Sequence, residues 1–363
     1  DKNGNKMSKR LGNAVDPFKA IENYGADPLR WYMISNSSPW DNLKFNEAGV
    51  EEVSRKFFGT LYNTYSFFAL YANVDHFDPA AAQVPLEKRP EIDRWIISLL
   101  NSLVKEVTDD INDYELTKGT RAINDFVGEN LSNWYVRLNR KRFWGGAMDE
   151  DKLSAYQTLY ECLKTVSLLM APFAPFYSDM LYRDLTGRDT SVHLERYPVA
   201  QDAVIDKALE DRQHIAQEIT SMVLSLRRKK NLKVRQPLTA IMIPVLNDEQ
   251  KAQIEAVADL IINEVNVKGI NYVGNDEGVL VKRIKPNFKK LGPKYGKIMK
   301  ALAQVLTDLS QADINKFDQQ GSITVDVNGQ PATVEVDDVE IISEDIPGWL
   351  VANEGNLTVA LDI

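Results

Sequence analysis

The feature that most constrains the fold is a helical repeat of apolar residues between about residues 49 and 190. Four stripes in this region place apolar side chains three or four positions apart, the spacing of one face of an α-helix. The stripes run from Val50 to Phe68, from Ile92 to Leu103, from Ile123 to Leu138 and from Leu153 to Met170. Proline-containing loops follow the first stripe, and the prolines of residues 171–176 end or kink the fourth helix. The pattern predicts a helix bundle.

Different patterns flank the bundle. Residues 1–48 are rich in Gly, Pro, Asn and Asp, and Asp16-Pro17 and Asp27-Pro28 each predict a helix start with an acidic N-cap. Beyond residue 200 the predicted elements are helices near 202–230, 248–263 and 297–310, a strand within 238–245, and a strand ending at 273. Alternation from Ile323 to Val336 around Asn328-Gly329 is typical of a hairpin.

The predicted fold is therefore mainly α, with three parts. These parts are residues 1–48, a helix bundle at 49–200 and a smaller α+β domain at 201–363. With 44% hydrophobic and 26% charged residues the chain is expected to fold. No apolar run approaches the ~18 residues of a membrane span. The first residue is not Met and no signal pattern follows, so we expect the chain to begin inside a longer reading frame.

The charged residues are unevenly distributed. The net charge is −9, yet residues 308–363 alone carry −11, with twelve acidic residues and one basic residue. Two runs contain Lys and Arg but no acid: residues 227–235 hold six such cations and residues 282–300 hold eight. Either run alone is as well explained by a solvated face as by a ligand. Two such runs in an acidic chain favour a polyanionic partner.

The clearest candidate for chemistry is the segment Lys6-Met7-Ser8-Lys9-Arg10-Leu11-Gly12-Asn13, called the motif loop below. Lys6 and Lys9 are three residues apart in a Gly/Asn-flanked segment. Two ammonium groups on one loop can neutralise the charge that builds on a triphosphate as pyrophosphate leaves. A bare Lys-x-x-Lys pair is usually a solvated surface pair, whereas the full string is far rarer.

A second candidate is the helix that ends near residue 144. Trp134, Tyr135 and Leu138 have the spacing of ordinary core residues. Its four closely spaced cations cannot all be buried, which favours a phosphate contact for at least one of them. These cations are Arg137, Arg140, Lys141 and Arg142. Trp144, beside Gly145-Gly146, either stacks on an unpaired base or simply packs.

The remaining chemical side chains carry no assigned role. Cys162 is the only cysteine, which excludes a disulfide framework and a multi-thiolate zinc site and suits a reducing, cytoplasmic location. It lies on the fourth apolar stripe, so a role in core packing is favoured over a role as a nucleophile. His76, His193 and His214 lack the partner spacing of a triad or a metal site.

The motif loop resembles the second signature motif of class I aminoacyl-tRNA synthetases. Further segments resemble the isoleucine, valine and leucine enzymes of that class, and the isoleucine enzymes in particular. The segments are residues 11–13, 24–30, 37–45, 133–144, 171–176, 233–238, 263–268 and 285–288. The resemblance covers essentially the whole chain and identifies it as a C-terminal portion of an isoleucyl-type enzyme that begins just before the motif.

The resemblance implies a different role for each of the three parts of the chain. Residues 1–48 would end the nucleotide-binding domain and add stem-contact helices, residues 49–200 would be the anticodon-binding bundle, and residues 201–363 the appended domain. Lys9 would stabilise the adenylation transition state on ATP, Lys6 would assist, and Ser8 would hold the loop. Arg10 stands where the family often has Ser.

The resemblance also implies partners. The whole enzyme would use ATP with Mg²⁺ to activate isoleucine, charge tRNA(Ile) and hydrolyse mischarged valine; any zinc ligands must lie elsewhere. The first signature motif and the editing domain are not in this sequence, so the chain alone is expected to bind tRNA but not to form the adenylate. We expect a cytoplasmic monomer without membrane contact. The RNA-binding candidates are Arg137, Arg140, Lys141, Arg142, Trp144, Arg227, Arg228, Lys233 and Arg235.

Two alternatives stay open from the sequence. A valyl or leucyl enzyme would keep the RNA binding but change the amino acid, and the segment appended after Pro198 disfavours it. A helical interaction protein would have no RNA role, with the basic runs as solvated faces. Binding of tRNA at two salt concentrations separates this last alternative from the synthetase hypotheses.

Overall fold

Helices build the first of two structural units, Asp1–Glu210, and helices with short sheets build the second, Asp211–Ile363. The computed structural model describes residues 1–245, 247–274, 282–343, 348–354 and 357–363. The mainly α fold with a smaller α+β part is confirmed. The three-part division at residues 48 and 200 stays a prediction. No described helix is long and apolar enough to cross a lipid bilayer.

Nine α-helices form the described part of the first unit. They are α1 (Pro17–Tyr24), α2 (Ala26–Asn36), α3 (Glu47–Val53), α4 (Gly59–Val74), α5 (Glu91–Asn112), α6 (Leu116–Asp125), α7 (Arg137–Phe143), α8 (Glu150–Met170) and α9 (Pro175–Thr186). Two π-helical stretches, Ser54–Phe58 and Phe126–Val136, join α3 to α4 and α6 to α7. The predicted break after the fourth stripe is real, because α8 ends at Met170 and α9 starts at Pro175.

Aromatic side chains dominate the core of the first unit. Trp31 on α2 is 1% exposed and stacks on Phe57 at 4.2 Å between ring centroids. Phe143, at the end of α7, is fully buried and meets Tyr156 of α8 edge-on at 4.9 Å. Cys162 is also fully buried, so the predicted core position is confirmed.

One of the two predicted helix caps is correct. Asp16 caps α1, where its side chain accepts a hydrogen bond from the Phe18 amide at 2.9 Å. The prediction for Asp27 is wrong: α2 begins at Ala26, two residues earlier than predicted, with Gly25 as its N-cap. The buried Asp27 carboxylate instead accepts from the Tyr177 amide at 2.6 Å, so it supplies the side-chain cap that α9 lacks on its own chain segment.

The π-helical stretch before α7 changes which residues face the core. Trp134 and Tyr135 are buried as predicted, at 4% and 0% exposed, but Leu138 is only half-buried. A π-helical turn carries an extra residue, so it rotates every later side chain relative to a regular helix. The core face continues instead through Asn139 and Phe143, which are buried.

The described part of the second unit contains six α-helices and eight strands. The helices are α10 (Lys207–Lys229), which contains the division between the units, α11 (Asp248–Glu255), α12 (Ala258–Val265), α13 (Phe288–Tyr295), α14 (Met299–Thr307) and α15 (Gln311–Gln320). The strands are β1 (Ile241–Val245), β2 (Ile270–Gly274), β3 (Lys282–Pro286), β4 (Ser322–Val327), β5 (Gln330–Glu335), β6 (Val339–Ser343), β7 (Trp349–Glu354) and β8 (Leu357–Asp362).

The strands form three small sheets. The largest has the order β2-β1-β8-β7, in which β1 and β2 are parallel and the other neighbours are antiparallel. β3 pairs with β6 and β4 with β5, both antiparallel. The predicted hairpin is confirmed: Val327 pairs with Gln330 across Asn328 and Gly329, whose φ angles of +56° and +80° suit a two-residue turn. The predicted 248–263 helix is two helices, α11 and α12.

Candidate nucleic-acid interface

The motif loop is organised by Asn13 and Ser8. The Asn13 side-chain oxygen Oδ1 accepts from the Ser8 amide at 2.9 Å, and the side-chain NH₂ group of Asn13 donates to the Lys6 backbone carbonyl at 3.3 Å. The Ser8 hydroxyl accepts from the Leu11 amide at 3.3 Å, and Gly12 follows with φ +69°. These bonds close a single 3₁₀ turn over Lys9–Leu11.

The cations of the motif loop face solvent. Lys6, Lys9 and Arg10 are exposed. Neither lysine ammonium has a hydrogen-bond or ion-pair partner among the residues that the structure describes. The loop therefore presents unpaired cations on a backbone held by Asn13, an arrangement that can meet a phosphate without first breaking an internal ion pair.

Arg142, one of the predicted RNA contacts, is bound to two carboxylates of the bundle. Its two terminal nitrogens donate to the Asp93 carboxylate at 2.6 and 2.9 Å, and its Nε donates to Asp151 at 3.0 Å. Asp93 is fully buried and also accepts from the Tyr135 hydroxyl at 2.8 Å and from Ser154. Burial opposes the charge on Arg142, but its hydrogen bonds to the Asp93 carboxylate outweigh this effect and raise the arginine pKa. Its guanidinium is not available to a phosphate.

The neighbouring cations face outward. Arg140 and Lys141 are exposed, and neither has an ion-pair partner in the described part of the chain. Arg137 is exposed as well, with its guanidinium 5.6 Å from the ring centre of Trp134 and its Nε donating to the Asn133 carbonyl at 2.8 Å. Arg140 and Lys141 are thus the cations of α7 best placed to meet an external phosphate.

Trp144 projects from the turn that ends α7. Its side chain is 52% exposed, although Phe143 beside it is fully buried. The next residue, Gly145, has φ +62°, and its carbonyl accepts from the buried Lys152 ammonium at 3.0 Å. Lys152 is itself paired with Asp75 at 2.6 Å. The Lys152 ammonium thus anchors the turn through the Gly145 carbonyl. An exposed indole on such an anchored turn is suited to stacking on an unpaired base. Arg140, Lys141 and Trp144 are called the helix-end surface below.

Arg227 is the second predicted RNA contact with an internal role. It is 1% exposed and donates to the backbone carbonyls of Lys233 at 3.1 Å, Gln236 at 3.0 Å and Asn266 at 2.9 Å. Burial lowers its pKa. Residues 228–237, which are the end of α10 and the loop that follows it, are called the basic loop below and fold around this guanidinium. Its other candidates are exposed; they are Arg228, Lys233 and Arg235.

Three cations of the second basic run contact the acidic C-terminal segment. Lys294 pairs with the buried Asp338 at 2.8 Å, and Lys285 pairs with Glu340 at 3.6 Å. The Lys290 ammonium donates to the Asp337 carbonyl at 2.7 Å. Part of the charge in these two segments therefore serves internal pairing in the second unit, while Lys289, Lys297 and Lys300 stay exposed.

Nothing in the described residues resembles a metal centre. No group of three or more His, Cys, Asp or Glu side chains is arranged there to hold an ion. His214 lies beside Glu218 at 3.3 Å, and the His193 ring lies 3.1 Å from the Pro175 carbonyl. Burial raises the pKa of the Cys162 thiol, so it is an inert core group.

Comparisons with known proteins agree with this geometry. Residues 1–46 match the family of class I tRNA synthetases for I, L, M and V, and residues 93–242 match the anticodon-binding domain of tRNA ligases. Isoleucine-tRNA ligases of Porphyromonas gingivalis and Bacteroides thetaiotaomicron are each 65% identical to the whole chain, and one from Bacillus thuringiensis is 38% identical.

The chain belongs to the isoleucyl-tRNA synthetase family. It spans about a third of these relatives, 32% of the first two and 35% of the third. Their names favour the isoleucine enzymes over the valyl and leucyl alternatives. The motif loop lies in the first matched region of this synthetase-family chain, and the helix-end surface and basic loop lie in the second.

Sequence reasoning missed the residues that support these surfaces. Asp93, Lys152 and Asn13 hold the end of α7, the turn at Trp144 and the motif loop, respectively. Lys152 lies immediately before the fourth stripe and after three acidic residues, and nothing in this local sequence marks it as buried. Asp93 carries no local signal either, because its partners are distant in sequence, whereas Asn13 bonds to Ser8 and Lys6 within the motif loop itself.

Proposed function

We propose that this chain is the tRNA-binding, C-terminal portion of an isoleucine-tRNA ligase. The observation that carries the proposal is the helix-end surface. Within residues that match an anticodon-binding domain, it combines two unpaired exposed cations with an exposed indole. Arg140 and Lys141 would attract RNA phosphates, and Trp144 would stack on a base of the anticodon loop.

We also propose that the motif loop serves the adenylation step of the whole enzyme. ATP, entering with Mg²⁺, would place its phosphates against the exposed ammonium groups of Lys6 and Lys9. Lys9 would stabilise the charge that develops as pyrophosphate leaves, while Ser8 and Asn13 keep the loop closed. Transfer of isoleucine to tRNA(Ile) and hydrolysis of mischarged valine complete the proposed activity of a cytoplasmic monomer.

The RNA-binding proposal is tested by the salt dependence of tRNA binding. The double variant Arg140→Gln/Lys141→Gln should weaken all tRNAs alike and reduce the slope of log affinity against log salt by about 0.7–0.9 per lost phosphate contact. The matched control is Lys56→Gln/Lys105→Gln, which removes two exposed cations that pair with Glu52 and Asp202. An equal loss in both double variants would contradict a local site.

The adenylation proposal is tested in a full-length enzyme that carries this chain. Lys9→Ala should slow isoleucine-dependent ATP-pyrophosphate exchange far more than it weakens isoleucine binding, because the charge grows only in the transition state. The control is Lys19→Ala, an exposed lysine of α1 outside the motif loop. Equal effects of Lys9→Ala on rate and binding would refute the assigned role.

A further inference from the structure

We propose that Arg227 is a positioning residue that shapes the basic loop into a second contact for RNA backbone phosphates. This inference rests on the proposed function, because it takes tRNA as the ligand. It adds a second RNA-binding surface, which lies in Asp211–Ile363 and is distinct from the helix-end surface. The exposed cations of this surface are held in place by a buried arginine that does not itself contact the RNA.

The first argument is the way Arg227 is bound. Its guanidinium lies at the end of α10 and donates to three backbone carbonyls from two segments, at 2.9–3.1 Å. Asn266, with φ +52°, adds a bond from its side-chain NH₂ to the Val234 carbonyl at 2.8 Å. The Leu232 amide closes the loop onto the Arg227 carbonyl at 2.8 Å. Four of these five bonds hold the basic loop, and the fifth ties Arg227 to Asn266.

The second argument is the missing counter-charge. No carboxylate of a described residue lies within ion-pair distance of Arg227, and its Nε is buried without a hydrogen-bond partner. A buried cation is costly unless it is paired. Because the low-dielectric surroundings screen its charge poorly, Arg227 adds to the positive potential of the loop that encloses it.

The third argument is what the loop displays. Its exposed cations have no acidic partner in the described part of the chain; they are Arg228, Lys229, Lys230, Lys233 and Arg235. Residues 282–300 offer a contrast within the same unit, since Lys285 and Lys294 there pair with Glu340 and Asp338. The run that encloses Arg227 therefore leaves all its other cations available to an external polyanion, whereas the second run pairs some of its cations internally.

The chemistry of the ligand follows from these contacts. The basic loop presents ammonium and guanidinium groups, and residues 228–237 contain no aromatic residue. Such a surface suits phosphates rather than bases. The basic loop should therefore contribute affinity and salt dependence without discriminating among tRNAs. The helix-end surface differs because it includes an indole.

The test measures binding of transcribed tRNA(Ile) and a non-cognate tRNA by the whole chain at several salt concentrations. Lys233→Gln/Arg235→Gln should weaken both tRNAs equally and reduce the salt slope by about 1.4–1.8, the sum for two phosphate contacts. The control is Lys251→Gln/Lys285→Gln, which removes two cations of the same unit that pair with Glu255 and Glu340. It should leave the slope unchanged.

Arg227→Gln separates positioning from simple structural support. Measured well below its melting temperature, it should reduce the salt slope although it removes no exposed cation. Its effect should not add to that of Lys233→Gln/Arg235→Gln in the combined variant. A folded Arg227→Gln chain with the parental slope, or full additivity, would overturn the positioning role.

A second variant keeps the proposal testable if Arg227→Gln does not fold. Asn266→Gly retains a residue suited to positive φ and removes only the bond to the Val234 carbonyl. It should reduce the slope by less than Arg227→Gln. If the parent chain binds no tRNA, the proposed function fails; if it binds and the loop variants match the parent, only this inference fails.

Discussion

Replacing Arg142 by methionine should destabilise the first unit by about 3–5 kcal/mol, because the change leaves a fully buried carboxylate without its counter-ion. Asp93 is 0% exposed and loses two charge-assisted hydrogen bonds of 2.6 and 2.9 Å. The Tyr135 hydroxyl and Ser154 continue to donate to it, but neither carries a charge. A loss of this size is a large share of the roughly 5–15 kcal/mol that stabilises a typical domain.

Matched variants come from the same helix. Arg140→Met and Lys141→Met remove exposed cations without internal partners, so each should change the free energy of unfolding by no more than about 0.5 kcal/mol. The double variant Asp93→Leu/Arg142→Met should recover part of the loss, since the buried charge is removed with its partner.

Denaturant titration followed by tryptophan fluorescence is the appropriate assay. Five of the six tryptophans lie in Asp1–Glu210, so the signal reports mainly on the first unit. A loss below about 1 kcal/mol in Arg142→Met, or a reduced tRNA salt slope in the folded variant, would refute the reasoning. The first result would mean that the buried Asp93 does not depend on Arg142, and the second would mean that Arg142 contacts RNA.

Three further outcomes are expected. Burial acts to raise the pKa of Asp75, but hydrogen bonds from Lys152 and Tyr156 lower it below the usual 3.8. The folded chain therefore binds this proton less readily, and the stability advantage of the parent over Asp75→Asn should persist above about pH 4 and shrink as acid titrates the group, as measured by unfolding at each pH. Gly329→Ala, at φ +80°, should cost about 1 kcal/mol in thermal unfolding, and no loss would argue against the turn. Trp144→Ala should remove about 1–3 kcal/mol of binding selectively from tRNA(Ile) at unchanged melting temperature; a uniform loss with lower melting temperature would assign the indole to packing.

The helical part of the fold was predictable because its apolar stripes are long. The stripe from Leu153 to Met170 lies within α8, and the prolines of residues 171–176 correctly predicted the break between α8 and α9. The smaller sheets were harder to predict. β3 lies inside a basic run, and its inward-facing Ile284 is one apolar residue among cations, too few to establish an alternation.

The candidate site was predictable in outline but not in its supports. Charge spacing located the cations of α7 and of the basic loop, yet it could not distinguish Arg142 from Arg140. The partner of Arg142 is 49 residues away on α5, and one carbonyl bound by Arg227 is 39 residues away. Such long-range partners leave no local pattern, and the π-helical stretch before α7 also rotated Leu138 away from its predicted place.

The central claim is that this synthetase-family chain binds tRNA through cations that its own fold leaves unpaired. The most direct measurement is the affinity of the parent chain for transcribed tRNA(Ile) across a salt series, with a non-cognate tRNA in parallel. We expect saturable binding that weakens steeply with salt and favours tRNA(Ile). Absence of saturable binding at low salt, or binding indifferent to salt, would contradict the claim.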